Sequence, residues 1–349
     1  MTFWIADGQT GLKGTISMTP ERPYPAMATD LYEFTMAQAY FDHEMFQPAT
    51  FSLFIRDYPP DRGYFVSAGL EAALDFLESI RFSSDDIHFL ASTDMFSRQF
   101  LAYLSAFRFE GEVVAVPEGE LFFKDEPVLE VTAPIIDGQL VETALINIIN
   151  LQTSLATKVS RCVHAARGCD VVDFSLRRAP GVDAGLAVAR AGAIVGLAAT
   201  SNVLAGKIHG IPITGTMAHS FVTSFEDEMA SFRAFADIFE DDTVLLIDTY
   251  DTLKGAEKAV VVAKEMAERG RQLRGVRLDS GDMVELSQQV RRLFRREGVE
   301  RIGIFASGGF DEFKIHNSLR DGAQIDAFAV GTKMGVSADA PYTDIAFKL

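Results

Sequence analysis

Cysteine is nearly missing from this chain of 349 residues: there are two, Cys162 and Cys169. Two thiols cannot build a disulfide framework or a four-ligand zinc site, and they fit a reducing cytoplasm. Positive charge is also short, with 32 Lys and Arg against 49 Asp and Glu and a net charge of −17. A nucleic-acid scaffold or an anionic-membrane binder would need a basic face, so both are excluded as expectations. An anionic small substrate is not, because a few arginines can dominate a pocket. No apolar run is long enough to span a membrane, and the N-terminus lacks the basic-then-apolar order of a signal peptide. No Gly-x-Gly-x-x-Gly follows the first strand of the C-terminal part, which disfavours hydride transfer. The only lysine at a strand end there is Lys333, inside a glycine turn, which disfavours Schiff-base chemistry.

What is present is an ordinary globular balance, 48% hydrophobic and 23% charged, with enough length for one large and one smaller domain. Residues 1–22 are Gly- and Thr-rich without clear periodicity and read as an extension. Residues 23–137 read as a β-rich α+β domain. A capped helix begins at Thr29-Asp30-Leu31-Tyr32, with Leu31, Phe34 and Ala37 on one stripe. Strands follow at Thr50–Ile55, which ends in Arg56, and at Gly63–Ser67. Helices are expected over Leu70–Ser79 and Asp94–Ala106, then strands over Glu112–Val116, Leu121–Phe123 and Val128–Thr132.

The stretch from Gln139 to Ala166 contains neither Pro nor Gly and sustains a helical pattern. Beyond it one theme recurs: a short apolar run, a turn rich in Gly, Ser, Asp or Arg, then a helix. The runs are Val171–Phe174, Ala193–Ala198, Ile211–Thr214, Val244–Ile247, Gly275–Leu278, Ile302–Ala306 and Ala327–Val330. Helices are expected over Pro180–Arg190, Ser224–Phe239, Thr252–Arg269, Met283–Arg296 and Asp311–Leu319. Buried, non-alternating strands between helices imply a parallel sheet, and the lack of a composition break between halves favours a closed or nearly closed β/α barrel over 138–335. Residues 336–349 are expected to return to the N-terminal domain.

A barrel of this kind does its chemistry at the C-terminal ends of its strands. Those ends carry Phe174, Ser175, Arg177 and Arg178; Thr200, Ser201 and Asn202; His219 and Ser220; Asp248 and Asp251; Arg277, Asp279 and Asp282; Ser307, Gly308 and Gly309; and Gly331, Thr332 and Lys333. Each has a plain alternative. The glycine runs are either tight turns or cradles whose backbone N–H groups hold phosphate, and two such loops from consecutive late strands favour the cradle. Asp251 and Asp282 suit helix caps, whereas Asp248 and Asp279 sit at the mouth. The Arg177-Arg178 pair is either solvated or an anion clamp. Tyr32 lies off its helix stripe, as a surface residue or as an aromatic lid. His219 is the group suited to proton or phosphoryl exchange. Together these residues suit a phosphorylated sugar.

The motifs resemble those of the nicotinate phosphoribosyltransferase family, type II phosphoribosyltransferases related to the nicotinamide and quinolinate enzymes. In family order they are Thr29-Asp30-Leu31-Tyr32, Arg62-Gly63-Tyr64-Phe65, Asp173-Phe174 with Arg177-Arg178, Thr200-Ser201-Asn202, Gly215-Thr216-Met217-Ala218-His219-Ser220, Arg277-Leu278-Asp279-Ser280-Gly281-Asp282 and Gly331-Thr332-Lys333. The resemblance implies the conversion of nicotinate and 5-phosphoribosyl-1-pyrophosphate (PRPP) to nicotinate mononucleotide and pyrophosphate in NAD salvage. It implies coupling to ATP, Mg²⁺ held through substrate phosphates, and a cytoplasmic homodimer with shared active sites. Within it, His219 is a transient phosphohistidine, Asp248 orients its imidazole, and Asp279 contacts the ribose or the ring side. Phe174 and Tyr32 of the partner subunit sandwich the pyridine, while Arg277 with Arg177 holds its carboxylate. Asn202, an aspartate in nicotinamide-using relatives, favours nicotinate by removing a repulsive charge. Ser307, Gly308, Gly309, Gly331 and Thr332 hold the 5-phosphate, with Arg56 and Lys333 as further phosphate contacts. Relatives usually continue past residue 349, so the N-terminal domain is expected to lack its last strands. The rivals are a nicotinamide or other pyridine phosphoribosyltransferase, and a non-catalytic phosphoribosyl- or nucleotide-binding regulator.

Overall fold

A computed structural model describes residues 24–349. The extension read over residues 1–22 lies outside them. The described chain forms two compact units: residues 24–157 with 339–349, and Lys158–Ala338. No helix among the described residues is long and apolar enough to cross a membrane.

The N-terminal unit opens with α1 (Leu31–Asp42) and β1 (Pro48–Ile55), then β2 (Phe65–Val66), α2 (Leu70–Ser79), α3 (Ser84–Ser92), α4 (Arg98–Ala106), β3 (Glu112–Ala115), β4 (Leu121–Phe122), β5 (Pro127–Pro134) and α5 (Ile135–Leu140). The helix α6 (Glu142–Ala165) follows, and the limit between the units falls within it. β1 alternates inward Phe51, Leu53 and Ile55 with outward residues, the period-2 pattern of a half-buried strand. It pairs antiparallel with β5, and β5 with β3. One aromatic-rich core collects Phe34, Phe51, Phe65, Phe76, Phe100 and Phe122.

In the second unit the chain runs β6 (Asp170–Asp173), α7 (Val182–Ile194), β7 (Ala199–Thr200), α8 (Val203–His209), α9 (His219–Thr223), α10 (Glu228–Phe239), β8 (Val244–Leu246), α11 (Thr252–Glu268), β9 (Gly275–Leu278), α12 (Met283–Arg296), β10 (Gly303–Ala306), α13 (Glu312–Arg320), β11 (Ala327–Val330) and α14 (Thr332–Gly335). The last strand, β12 (Ile345–Lys348), pairs antiparallel with β1 and belongs to the N-terminal unit.

The parallel sheet has the order β7-β6-β11-β10-β9-β8. Read round from β6, this is sequence order, the connectivity of a β/α barrel. The sheet is curled: Ala199 of β7 and Val244 of β8 stand on opposite edges, yet they share a buried cluster with Val172, Phe305 and Ala327. In a flat sheet of six strands those edges would lie about 24 Å apart. The chain therefore comprises an irregular β/α barrel and a β-rich α+β unit.

Several sequence expectations need correction. The run Ala193–Ala198 is not a strand: α7 continues to Ile194, and the chain turns before β7. Alanine is the best helix former, so this apolar run extends the helix. Ile211–Thr214 yields only a single bridge, Thr200 to Ile213, and the ladder stays open between that point and β8. Residues 139–166 break into α5 and α6. The helix expected over Ser224–Phe239 begins only at Glu228, where Asp227 caps α10. The expected Asp94–Ala106 helix begins at Arg98 behind the Ser97 cap, and α3 precedes it unforeseen.

Candidate active site

The strand ends of the barrel unit converge through side-chain bonds. His219 opens the short helix α9. Its Nδ1 lies 3.1 Å from the Thr249 hydroxyl, and its Nε2 lies 3.8 Å from Oδ2 of Asp279. The other oxygen of Asp279, Oδ1, accepts the Ser307 hydroxyl. One carboxylate thus connects the imidazole to the Ser307-Gly308-Gly309 turn.

That turn is built for close approach. Gly308 has φ +98°, and a Cβ there would drive into the Asp279 carbonyl oxygen, so only glycine fits. Gly309 is also left-handed, with φ +69°. Lys314 in the first turn of α13 donates to the Gly308 carbonyl at 2.6 Å. Gly331 packs closely, though less so, on the residue that follows β6: a Cβ there would stand 2.9 Å from the Phe174 carbonyl oxygen. Phe174 in turn donates its backbone N–H to Val330 at 2.8 Å. Thr332 begins α14 and is exposed. Lys333 reaches Asp311 at 2.6 Å. Burial raises the Asp311 carboxyl, but bonds from Lys333 and from the Lys314 backbone outweigh it and hold it below the ordinary range.

Arg277 is held rather than solvated. Nη1 donates to Thr216 Oγ1 at 2.5 Å and to the Met217 carbonyl at 3.2 Å, and Nη2 lies 3.9 Å from Asp279 Oδ1. Its guanidinium carbon sits 6.0 Å from the centre of the Phe174 ring, within cation–π reach. Nε is buried without a hydrogen-bond partner among the described residues. Burial is the main cause that lowers the Arg277 pKa, and Asp279 and Asp248 oppose it. A partly unsatisfied, desolvated guanidinium beside an aromatic ring is poised for an anion.

Asp248, expected to orient the His219 imidazole, makes no hydrogen bond to it. Its Oδ2 accepts the Asp279 backbone N–H at 2.9 Å and the Ser280 hydroxyl at 2.6 Å, so it shapes the next strand end instead. Asn202 also has a local duty. Buried to 1% exposure, it caps α8 through Oδ1 from the Ala205 N–H at 3.1 Å, and its Nδ2 donates to the Gly185 carbonyl at 3.3 Å. Both halves of the amide are engaged inside the fold. Asp173 binds the Ser175 N–H and the Thr200 hydroxyl, tying β6 to β7, and burial raises its carboxyl. Arg177 is exposed on a single 3-10 turn, Leu176–Arg178.

Two of the expected site residues belong to the N-terminal unit. Tyr32 is 43% exposed and donates to Glu142 at 2.9 Å. Arg56 is exposed and pairs with Asp344. Sequence reasoning missed Thr249, Thr216 and Lys314. Thr216 stood inside a quoted motif next to Gly215, and Thr249 directly follows Asp248, but a neutral hydroxyl carries no spacing signal. Among the described residues no group of three or more His, Cys, Asp or Glu is arranged to hold a metal ion.

Comparison with known proteins gives the family. Residues 27–150 match the model of the nicotinate phosphoribosyltransferase N-terminal domain, and residues 169–340 match that of the nicotinate phosphoribosyltransferase family. The chain belongs to the nicotinate phosphoribosyltransferase family. It is 48% identical over 324 residues to nicotinate phosphoribosyltransferase pncB2 of Mycobacterium tuberculosis, covering 93% of this chain and 70% of that protein. It is 41% identical to the Bacillus subtilis nicotinate phosphoribosyltransferase, over 93% of this chain and 66% of that one. The crystal structure of human nicotinic acid phosphoribosyltransferase superposes with a TM-score of 0.82 at 29% identity, over 92% of this chain and 74% of that one. Membership makes this chain one of a family of phosphoribosyltransferase enzymes.

Proposed function

We propose that the protein joins nicotinate to the ribose of PRPP, releasing pyrophosphate and forming nicotinate mononucleotide for NAD synthesis. The observation that carries this reading is the Asp279 carboxylate, which faces His219 on one side and the Ser307-Gly308-Gly309 turn on the other. In the reaction the bond from ribose C1 to the pyrophosphate oxygen breaks, and its electron pair leaves with pyrophosphate. The pyridine nitrogen then supplies the pair for the new C1–N bond. The two glycine turns would hold the 5-phosphate through backbone N–H groups, where side chains would block the approach. Arg277 would take the nicotinate carboxylate while Phe174 stacks on the ring. Asp279 would stand beside the developing positive charge at C1.

Selectivity for nicotinate then rests on Arg277, which offers N–H donors that an acid satisfies better than an amide does. Asn202 contributes by capping α8. Mg²⁺ fits as an ion carried by the substrate phosphates: Asp279 is a half-exposed hard oxygen donor, and Asp248 Oδ1 has no hydrogen-bond partner among the described residues. When bound, Mg²⁺ would neutralise charge on the departing pyrophosphate. The reading includes ATP as a coupled substrate that phosphorylates His219 and a cytoplasmic homodimer in which Tyr32 closes over the ring. The test is nicotinate-dependent pyrophosphate release with and without ATP. ATP stimulation that survives undiminished in His219→Ala would remove the phosphohistidine role.

A further inference from the structure

A neutral imidazole carries one proton, and only the nitrogen without it has a lone pair to attack phosphorus. What pairs with Nδ1 therefore decides whether Nε2 can react. Asp279 is the carboxylate within reach of His219, and neither it nor Asp248 bonds to Nδ1. Asp248 Oδ2 is engaged by the Asp279 N–H and the Ser280 hydroxyl, while Asp279 faces Nε2. The group on Nδ1 is the Thr249 hydroxyl, at 3.1 Å. We propose that Thr249 is a positioning residue for phosphoryl transfer, its Oγ1 accepting the Nδ1–H of His219 and so leaving the Nε2 lone pair free.

The inference rests on the reading of His219 as the phosphoryl acceptor. In that step the Nε2 lone pair forms the N–P bond to the γ-phosphorus of ATP. The bond from that phosphorus to the β,γ-bridging oxygen breaks, and its electron pair leaves with ADP. The Nδ1 proton stays on the ring, shared with Thr249. A hydroxyl also suits this step, because it can reorient as the ring charge changes. Thr249 is half-buried, so Val in its place keeps the branched shape and loses only the hydrogen bond.

The experiment uses the full chain and γ-labelled ATP, with rapid-quench measurement of acid-labile label on protein and ¹⁵N NMR of the His219 ring, assigned by its loss in His219→Ala. Thr249→Val should slow labelling about tenfold, the factor expected for one hydrogen bond, and Thr249→Ser should restore it. The wild-type ring should carry its proton on Nδ1, and the Thr249→Val ring should shift toward Nε2–H. The tautomer is a readout that a general packing defect would not move. Wild-type labelling rate and wild-type tautomer in Thr249→Val, with no label in His219→Ala, would overturn the role of Thr249 alone. Label persisting in His219→Ala would overturn the phosphohistidine reading and this inference with it.

Discussion

Ser307 donates its hydroxyl to Oδ1 of Asp279, and this bond joins a glycine turn to the carboxylate that faces His219. The two residues end neighbouring strands, β10 and β9, which pair in register from Gly303 opposite Gly275 to Ala306 opposite Leu278. Strand pairing therefore sets the distance between the Ser307-Gly308-Gly309 turn and the Asp279 carboxylate.

Gly308 makes that junction possible. Gly308→Ala combines a left-handed backbone with a Cβ forced onto the Asp279 carbonyl, whereas Gly309 has open space around it. Gly308→Ala should raise KM for PRPP at least about tenfold, and Gly309→Ala should do so less, because only backbone strain opposes it. Steady-state kinetics with PRPP varied at saturating nicotinate checks the order.

Arg277 should bear on the pyridine rather than on the sugar. Lysine keeps the charge but loses the planar fork that holds Thr216 and Met217 and stacks near Phe174. Arg277→Lys should raise KM for nicotinate about tenfold or more while KM for PRPP changes little. An equal rise in both would place Arg277 outside pyridine recognition.

The N-terminal unit carries a buried carboxyl whose sign can be tested. Glu33 is fully buried and accepts the Thr143 N–H at 2.8 Å and the hydroxyls of Thr29 and Thr143. Burial is the main cause that raises its pKa, and the nearby Glu142 adds to it. A raised carboxyl favours the protonated folded state, so its stabilisation is full below the ordinary carboxylate pKa and is lost as pH rises through the folded value. Glu33→Gln should flatten the fall in Tm as pH rises above the ordinary carboxylate range. A melting series in matched buffers measures it, and an unchanged slope would contradict the assignment.

How legible the molecule was depended on how local each signal is. Gly275–Leu278 and Met283–Arg296 could be read to the residue, because a buried strand and a strongly amphipathic helix write their limits into adjacent positions. Ala193–Ala198 could not, since alanine serves a helix as readily as a buried run. The open edge beside Ile213 depends on hydrogen bonds between distant segments, which no local pattern records. The same holds within the site. Arg277, Asp279 and the glycine turns stood out by charge and composition, but the division of labour between Asp248 and Thr249 is decided by hydrogen bonds that no sequence pattern records. Asn202 stood out through the family resemblance, as a neutral residue that favours nicotinate, and its further duty as the cap of α8 was not read from the sequence.

The most direct measurement is pyrophosphate release from PRPP by the full chain with nicotinate, nicotinamide or quinolinate as acceptor, each with and without ATP. The account predicts release with nicotinate, stimulated by ATP, and little with the other two. Release with nicotinamide or quinolinate in preference to nicotinate, or none with any of the three, would contradict it.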